Sequence, residues 1–363
     1  MKPKHLLALL SIAIAVLLLS GCGTISAASW PGVSYDSETN TVFVSYNTSV
    51  FAIDASNGQL KWSYPEKPSQ KTTFYAIPVP TSDGQLLAGS YDNNLYSLDK
   101  STGAQKWVFD PTTIQDTTNR FISSPLVYND TIYAPNADER LYALDMQGNP
   151  VWDQPFQANQ ALWAAPAADP KLNLIYLTSM DRNIYALNPD TGALVWSTPM
   201  EGASVGSPTV DPNGNLYVGN FANQLLAVNP QDGSTTWQVD TNGWVWSGPI
   251  LGDSQLFFGD LDGTFYAVNA NDGSIAWQIT PDGQVVGQPA LAGNNIFFGT
   301  ESGTLYVVDL RGNIVKSIDL SGSIYTSPVL AGDLIVVAPY QTDNLLVAFD
   351  QNGNQQWTFT PAK

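Results

Sequence analysis

Short apolar runs that alternate with polar positions recur from residue 30 to the end of the chain, and they follow one repeated pattern. Each copy has a proline after a small residue, two apolar segments, a polar turn, a third segment like LYALD (141–145), a turn with glycine, and a tryptophan. The prolines are Pro31, Pro78, Pro125, Pro166, Pro208, Pro249, Pro289 and Pro328. The closing tryptophans are Trp62, Trp107, Trp152, Trp196, Trp237, Trp277 and Trp357, with Lys316 in the tryptophan slot of the seventh copy.

The pattern within each copy predicts the blades of a β-propeller. Alternation with period two is typical of short strands, and four such strands within roughly 40 residues form one blade. In the third copy the predicted strands A to D, from the axis outward, are SPLVY, TIYAP, RLYALD and PVWDQ. A helical solenoid would need a period near 3.6, which the copies lack. We therefore predict an all-β fold over residues 30–363, an eight-bladed β-propeller of four-stranded antiparallel blades.

The end of each copy resembles the tryptophan-docking motif of PQQ-type repeats. Close versions are AIDASNGQLKW (52–62), ALDMQGNPVW (143–152) and ALNPDTGALVW (186–196). The WD40 signature has Trp-Asp at the end of the third strand instead, and Trp152-Asp153 lies at the docking position. The resemblance implies that the seven tryptophans are structural and lie between neighbouring blades. We expect a weaker seam where Lys316 replaces the indole. Two ways of closing the ring stay open: blade against blade, or residues 25–31 added to blade eight.

The first 22 residues have the form of a lipoprotein leader. Lys2 and Lys4 precede an apolar run over 6–19, which is too short for a comfortable membrane span. The run ends in LSGC (19–22), which resembles the bacterial lipobox. We therefore expect a signal peptide over 1–21, a lipidated Cys22, and a tether over 22–29; an uncleaved signal anchor is the alternative. Gly23 permits sorting to an outer membrane if the host has one, and otherwise the protein would face outward from the cytoplasmic membrane.

The composition limits which partners and which catalytic or metal-binding groups the chain can have. The formal net charge of −18 repels nucleic acid, so no nucleic-acid partner is expected. His5 and Cys22 are the only residues of their types. Their position in the leader argues against Ser-His-Asp and Cys-His catalysis and against zinc sites that contain histidine.

The remaining carboxylates fall in turns. Asp92, Asp138, Asp181 and Asp262 recur in the turns between strands B and C, which indicates a turn-forming role, although a glycosidase pair among them is an alternative. The segments DPNGN (211–215) and DQNGN (350–354) are weakly similar to calcium loops but lack the bidentate glutamate, so we expect hairpin turns. We predict no catalytic residue, no metal site and no cofactor.

Quinoprotein dehydrogenases share this repeat, but their site adds a vicinal disulfide, an aspartate base and a calcium ion. This chain has one cysteine, so the resemblance implies the scaffold and not the quinone.

Two sets of residues are expected on the rim that carries the D–A and B–C loops. Three residues before successive prolines stand Tyr75, Ile122, Trp163, Val205, Trp246, Val286 and Tyr325, and Trp244 shares a loop with Trp246. Their rings either fill the channel or form a platform for a partner. Arg120, Arg140 and Arg182 should share one sector of the same rim, where they either pair with Asp138, Glu139 and Asp181 or form a binding patch.

An anchored propeller without catalytic histidine resembles the BamB family of outer-membrane assembly lipoproteins. The resemblance implies a non-enzymatic, membrane-anchored scaffold with a protein partner in the cell envelope. The candidate partner-binding residues are Arg120, Arg140, Arg182, Tyr75, Trp163, Trp244, Trp246 and Tyr325. The alternatives are a PQQ-dependent dehydrogenase and an extracytoplasmic sensor or carbohydrate-binding lipoprotein.

Overall fold

The computed structural model describes residues 30–115 and 119–362. Its 32 strands form eight four-stranded antiparallel sheets, and in each sheet the strands follow chain order from the axis outward. The predicted all-β propeller of eight blades is confirmed. The predicted leader, the lipidated Cys22 and the tether lie outside the described residues. Within the described ranges, no helix has the length and apolarity to cross a membrane.

The first four blades have these strands. Blade one contains β1 Gly32–Asp36, β2 Thr41–Tyr46, β3 Ser49–Asp54 and β4 Leu60–Tyr64. Blade two contains β5 Val79–Pro80, β6 Gln85–Gly89, β7 Leu95–Asp99 and β8 Gln105–Phe109, followed by a short 3-10 helix at Pro111–Thr113. Blade three contains β9 Leu126–Tyr128, β10 Thr131–Pro135, β11 Arg140–Asp145 and β12 Phe156–Gln157. Blade four contains β13 Ala167–Asp169, β14 Leu174–Thr178, β15 Asn183–Leu187 and β16 Leu194–Pro199.

The last four blades continue the same order. Blade five contains β17 Thr209–Val210, β18 Leu216–Asn220, β19 Gln224–Val228 and β20 Thr235–Asp240. Blade six contains β21 Ile250–Gly252, β22 Gln255–Gly259, β23 Phe265–Asn269 and β24 Ile275–Ile279. Blade seven contains β25 Ala290–Ala292, β26 Asn295–Gly299, β27 Thr304–Asp309 and β28 Ile314–Asp319. Blade eight contains β29 Val329–Ala331, β30 Leu334–Val337, β31 Leu346–Asp350 and β32 Gln355–Phe359.

The hydrophobic core lies between the blades. The middle strands of each blade are buried on both faces, which explains why they are nearly continuous apolar runs such as LFFG (256–259). Each cluster of buried side chains joins two neighbours, as when Tyr217 and Leu225 of blade five pack with Leu256 and Phe258 of blade six. Because every blade buries its faces against the next, the eight sheets form one continuous ring of core.

The tryptophans join the blades on their outer side. Each indole lies against the glycine in the C–D turn of the next blade; a Cβ on Gly103 would be 2.6 Å from Cε3 of Trp62. These glycines have positive φ, which suits a residue without a side chain in a tight turn. Each indole N–H also donates to a carbonyl of that turn at 2.8–3.2 Å, from Trp62, Trp107, Trp152, Trp196, Trp237, Trp277 and Trp357 to Lys100, Met146, Pro189, Pro230, Ala270, Leu310 and Ala55 respectively.

The same contact closes the ring. Trp357 of blade eight donates to the carbonyl of Ala55 in blade one at 2.8 Å, and Phe359 packs against Phe51 with ring centroids 5.7 Å apart. Strand β1 pairs with β2, and β29 through β32 all come from the end of the chain. Among the described residues closure is therefore blade against blade, and residues 25–29 of the alternative lie outside them.

Blade three departs from its predicted strands at its outer edge. PVWDQ (150–154) was predicted as strand D, but β12 is Phe156–Gln157, and one isolated bridge joins Pro150 to Leu144. The prolines at 150 and 155 have no N–H to give to the ladder, so the strand is interrupted between them. Trp152 nevertheless reaches the Pro189 carbonyl at 2.9 Å. Trp152 therefore keeps its contact with blade four although it does not lie in a strand.

Lys316 takes over part of the missing indole's role. Its Nζ donates to the Gly353 carbonyl at 2.7 Å and to Asn354 Oδ1 at 3.2 Å, so this seam keeps a hydrogen bond. A Cβ on Gly353 would lie 3.0 Å from the Lys316 Cδ, in the place that a ring occupies at the other seams. The seam between blades seven and eight therefore has the bond but lacks the flat apolar face of a tryptophan.

Replacing Lys316 by tryptophan should strengthen this seam. The glycine and the turn that receive an indole elsewhere are present, so Lys316→Trp should add about 1 kcal/mol to the free energy of unfolding. Urea denaturation and the melting temperature measure the change. The matched variant Trp277→Lys, one seam earlier, should cost about 3 kcal/mol. A melting temperature that is unchanged or lower in Lys316→Trp would contradict this account.

The seam between blades one and two also contains a buried ion pair. Lys100 Nζ lies 3.3 Å from Asp36 Oδ2 and 2.7 Å from Glu38 Oε2, and the Lys100 and Asp36 side chains are 7% and 9% exposed. Burial by itself raises the pKa of Asp36, but hydrogen bonds from Thr39 and Lys100 and the charge of Lys100 outweigh it and lower this pKa. The ionised pair is therefore favoured in the folded state.

The stability effect of this pair should depend on pH. Because the folded-state pKa of Asp36 is lowered, its contribution is complete above the unfolded value near 3.8 and is lost as the pH falls through the folded value. Lys100→Met leaves a buried carboxylate unpaired and should cost about 3 kcal/mol at pH 7, with a smaller loss at pH 3. Urea unfolding at both pH values tests this, with the exposed Lys106→Met as control. A loss that does not change with pH would exclude the ion pair as its cause.

Candidate functional site at the mouth of the axial channel

One cavity lies on the propeller axis and receives residues from all eight blades. It has a volume of about 310 Å³ and opens on the rim of the D–A and B–C loops. All seven residues that stand three positions before a marker proline line it: Tyr75, Ile122, Trp163, Val205, Trp246, Val286 and Tyr325. Trp30 completes the ring from blade one. The repeat thus places one position of every blade around one opening.

Aromatic partners in the neighbouring loops hold three of these rings in place. Tyr75 stacks on Tyr91 at 4.5 Å, and Tyr325 stacks on Trp30 at 4.7 Å. Trp246 lies 5.3 Å from Phe221, which itself stacks on Trp244 at 4.6 Å. Burial raises the pKa of Tyr75 and of Tyr325, so both phenols are neutral hydrogen-bonding groups at ordinary pH.

The predicted aromatic residues therefore divide into three kinds. Trp163 is 38% exposed at the mouth, and no aromatic ring of the described residues stacks on it. Tyr75, Trp246 and Tyr325 are half-buried and held by partners. Trp244 lies beside the cavity, against Phe221, and supports Trp246 without lining the opening.

Sequence reasoning missed the supporting rings. Tyr91, Phe221 and Tyr340 occupy the same place in three B–C turns, where each backbone N–H donates to a carbonyl of the preceding D–A loop. Tyr340 packs edge-on against Tyr325 at 6.0 Å. This position recurs two residues after the small residue that ends the second apolar segment (Gly89, Gly219 and Ala338), so aligning the copies would have revealed it.

The three arginines follow one another along the rim but differ in their contacts. Arg120 lies over the ring of Tyr91 at 4.6 Å, and the Arg120 carbonyl accepts from Ala137 N, next to the turn that leads to Arg140. Arg140 pairs with Asp138 at 3.3 Å. Arg182 is exposed in the B–C turn of blade four, and among the described residues no acid forms an ion pair with it. Within the described part of the chain, pairing with acids thus holds for Arg140 and not for Arg120 or Arg182.

The aspartates of the B–C turns serve the turns themselves. Tyrosine hydroxyls of the following strand donate to Asp92, Asp138 and Asp181 at 2.6, 2.6 and 2.5 Å. Burial, the hydrogen bond to Asp138 and its charge raise the pKa of Tyr142, so the phenol stays protonated as the donor.

In blade six the expected residue, Asp262, does not take this role. Tyr266 donates instead to Asp260 at 2.9 Å, and Asp260 also accepts from Gly243 N and Thr264 N. Asp260 is fully buried, and these three donors meet the need of a buried carboxylate for hydrogen bonds. Burial is the main reason that the pKa of Tyr266 rises to about 12.

The two calcium-like segments are hairpin turns. Asp211 Oδ1 accepts from Asn213 N and Asn215 N at 2.7 and 2.9 Å, and Asp350 Oδ1 accepts from Asn352 N and Asn354 N at 2.9 and 2.8 Å. These carboxylates are committed to their own turns.

The residues at the channel do not fit a calcium-held quinone. Among the described residues no carboxylate or arginine lines the cavity, and no three His, Cys, Asp or Glu side chains stand close enough to hold a metal ion. Calcium requires six to eight oxygen ligands, several of them carboxylates. The neutral cavity offers hydroxyls, one amide and aromatic faces instead.

Comparison with known proteins agrees with this architecture. The model of the family described as outer membrane protein assembly factor BamB matches residues 23–179, 180–314 and 280–362. The chain belongs to the BamB family. The crystal structure of BamB from Moraxella catarrhalis superposes with a TM-score of 0.69 at 19% identity and covers 88% of this chain and 93% of that one. A computationally designed protein, Ika8, superposes with a TM-score of 0.71 at 14% identity, covering 91% and 96%. At these identities the two structures show the shared fold alone.

A curated relative outside the BamB family matches a smaller part. The quinoprotein alcohol dehydrogenase PedH of Pseudomonas putida is 26% identical over 137 residues, which is 33% of this chain and 23% of PedH. The match thus takes in less than a quarter of the dehydrogenase, as a shared propeller repeat would produce.

Titration with pyrroloquinoline quinone tests the alternative of a dehydrogenase. Because no described residue of the cavity wall offers a carboxylate for calcium or a charged partner for the cofactor, we expect no change in the quinone absorbance spectrum when the protein is added with Ca²⁺. Dye reduction with primary alcohols should stay at the level of the buffer. Saturable spectral changes that require Ca²⁺ would contradict this reading of the channel.

Proposed function

We propose that this BamB-family propeller is a non-enzymatic scaffold of the cell envelope that is anchored through lipidated Cys22 and binds a protein partner with its channel-mouth rim. In a host with an outer membrane it would serve outer-membrane protein assembly, the role that the family description names. The observation that carries the proposal is the continuous stack of Arg120 on Tyr91 and of Tyr91 on Tyr75, which leads from the arginine sector to the channel.

The residue types on this rim suit protein recognition. Arginine, tryptophan and tyrosine dominate binding hot spots because they combine a large apolar area with hydrogen-bond donors. The stacks fix Tyr75, Trp246 and Tyr325 before any partner arrives, so binding would lose little side-chain entropy. Arg120 and Arg182 add positive charge, free of ion pairs among the described residues, to a chain of net charge −18. This favours a partner with acidic groups facing the rim.

The place where the chain enters blade one determines how far the channel-mouth rim can lie from a lipid on Cys22. Trp30, the first described residue, stacks on Tyr325 at the channel mouth, so the chain enters blade one on this face. Seven residues separate Cys22 from Trp30, and such a segment spans about 25 Å at most. A lipid on Cys22 would therefore keep the mouth near the membrane surface, facing partners that are embedded there.

The turn chemistry supports a role without catalysis. The aspartates that could act as acid or base are bonded to tyrosine hydroxyls and backbone N–H groups, and they shape turns in several blades. A general acid or base has to face a cavity that admits substrate, and the residues that the structure describes around the axial cavity are neutral.

Crosslinking in native membranes tests the rim. The double variant Arg120→Ala with Arg182→Ala removes the two rim arginines that have no acidic partner among the described residues and should weaken the main crosslink roughly tenfold or more, because two interface arginines are lost together. Mass spectrometry of the crosslinked band identifies the partner. Arg311→Ala is the matched control, since Arg311 is an exposed arginine in the C–D turn of blade seven, on the opposite rim. A crosslink that survives the double variant, or that fails equally in Arg311→Ala, would overturn the assignment.

A further inference from the structure

The D–A connections between successive blades share one buried residue, which stands four positions before the marker proline. In each of the seven connections that the structure describes, this residue is at most 1% exposed. Its backbone N–H donates at 2.7–3.4 Å to a carbonyl at the start of the preceding blade's B–C turn. We call it the plug of its connection. The plugs are Phe74, Phe121, Leu162, Ser204, Val245, Val285 and Ile324, and the acceptors are Asn47, Ser90, Asn136, Ser179, Asn220, Asp260 and Thr300.

Each connection fills the seam on the channel-mouth rim, as the one between blades two and three shows. A Cβ on Gly89, at the end of strand B, would lie 2.9 Å from the Cβ of the plug Phe121. The Arg120 carbonyl, just before the plug, accepts from Ala137 N of the next blade at 3.0 Å. The connection therefore lies between two B–C turns and is bonded to both.

A cavity of about 390 Å³ marks the same place at the seam between blades eight and one. Its walls come from the B–C turns and following strands of the two blades, with the apolar side chains of Tyr46, Phe51, Pro339 and Leu345 among them. No D–A connection of the described residues crosses this seam, because β32 is the last strand and blade one is described from Trp30 onward.

Blade eight has the acceptor for an eighth plug. In blades two to seven the acceptor directly precedes the turn residue whose N–H bonds to the incoming connection, as Ser90 precedes Tyr91. In blade eight Tyr340 N makes this bond to the Ser323 carbonyl at 2.8 Å, so the acceptor position falls on Pro339. No N–H of the described residues donates to the Pro339 carbonyl.

We propose that residues 23–29, which lie outside the described part of the chain, occupy this cavity as an eighth connection, with the Ala27 N–H bonded to the Pro339 carbonyl. Ala27 stands four positions before the marker proline Pro31, as the other plugs do before theirs. Trp30, three residues after Ala27, is already at the channel mouth, and three residues span about 10 Å at most. The segment thus has the spacing and the short reach that the seven described connections have.

The placement would also fix where the anchor leaves the propeller. Cys22 stands five residues before Ala27, and five residues span about 17 Å at most. A lipid on Cys22 would therefore enter the membrane beside the seam of blades eight and one, and this sector of the rim would lie nearest to the membrane. Only this consequence rests on the proposed anchor; the placement of residues 23–29 does not.

Disulfide trapping in the full chain tests the placement. Ala338 precedes Pro339 as Gly89 precedes Ser90, so a plug at position 27 would contact it. Ala27→Cys with Ala338→Cys should therefore form a disulfide in most molecules isolated from an oxidising compartment, because the two Cβ atoms would lie within bonding range. Mass spectrometry of the linked peptides measures the fraction and shows which positions are joined.

Two pairs serve as controls and should stay mostly reduced. Ala28→Cys with Ala338→Cys moves the thiol by one residue, away from the plug position. Ala27→Cys with Thr358→Cys tests whether the segment adds to the outer strand of blade eight instead, where Thr358 is exposed. No disulfide in the first pair, or an equal fraction in either control, would overturn the proposal.

Proline substitution gives a second test that introduces no thiol. Ala27→Pro removes the N–H that would bond to Pro339 and should lower the melting temperature by about 2 °C, as the loss of one buried hydrogen bond does in a protein of this size. Ala28→Pro is the matched control, because at the seven described connections the residue after the plug donates no backbone hydrogen bond. It should melt with the unchanged protein. Equal falls in both variants, or no fall in Ala27→Pro, would contradict the assignment.

Discussion

The contact of one indole with one glycine holds this ring together. A blade contributes a tryptophan near the end of its outer strand, and the next blade contributes a glycine with positive φ at the place where the ring lies. A side chain on that glycine would collide with the indole, and without the indole the turn would lose both its apolar cover and a hydrogen bond. Burying most of a tryptophan contributes several kilocalories per mole as an upper bound, by area of apolar surface. Since the contact is the same at each of seven seams, the ring closes by the rule that joins its neighbours, with Trp357 against Gly58.

The residues that join the blades and the residues that line the channel mouth lie on opposite rims of the propeller. The glycines lie in C–D turns, which project on one rim, whereas the residues three positions before the prolines project on the other, around the channel. Position and spacing at the mouth are fixed by the blades. The side chains there vary from Val205 and Val286 to Trp163 and Trp246, and none of them takes part in the contacts between tryptophan and glycine. A propeller can therefore change what it binds by substitution at one repeated position while its fold stays the same.

The sequence made the seams predictable because they depend on single residues at fixed spacing. Proline, glycine and tryptophan each have one dominant physical role in this repeat, so their positions were enough to predict eight blades and docking through tryptophan.

The outer strand of blade three was predicted wrongly, because Trp152 indicated a strand while Pro150 and Pro155 had removed two of its donors. The four aspartates were predicted from their spacing to have a common role in the B–C turns, but in blade six Tyr266 bonds to Asp260, which also accepts from the backbone N–H groups of Gly243, Asp262 and Thr264. Stacks such as Tyr75 on Tyr91 join separate loops, and their geometry depends on how neighbouring turns fold together.

The use of carboxylates in this chain bears on its similarity to a quinoprotein alcohol dehydrogenase. The match with PedH covers 33% of this chain and 23% of that protein. A cofactor with charged groups and a calcium ion needs carboxylates that face the axis. In this chain Asp92, Asp138 and Asp181 of the B–C turns accept from tyrosine hydroxyls of their own blades, whereas Glu301 accepts from Tyr325 at the channel mouth. The turns gain rigidity from these bonds, and the axis keeps neutral hydroxyls and aromatic faces. Three of the aspartates that a metal could have used are thus bonded within the turns of the rim.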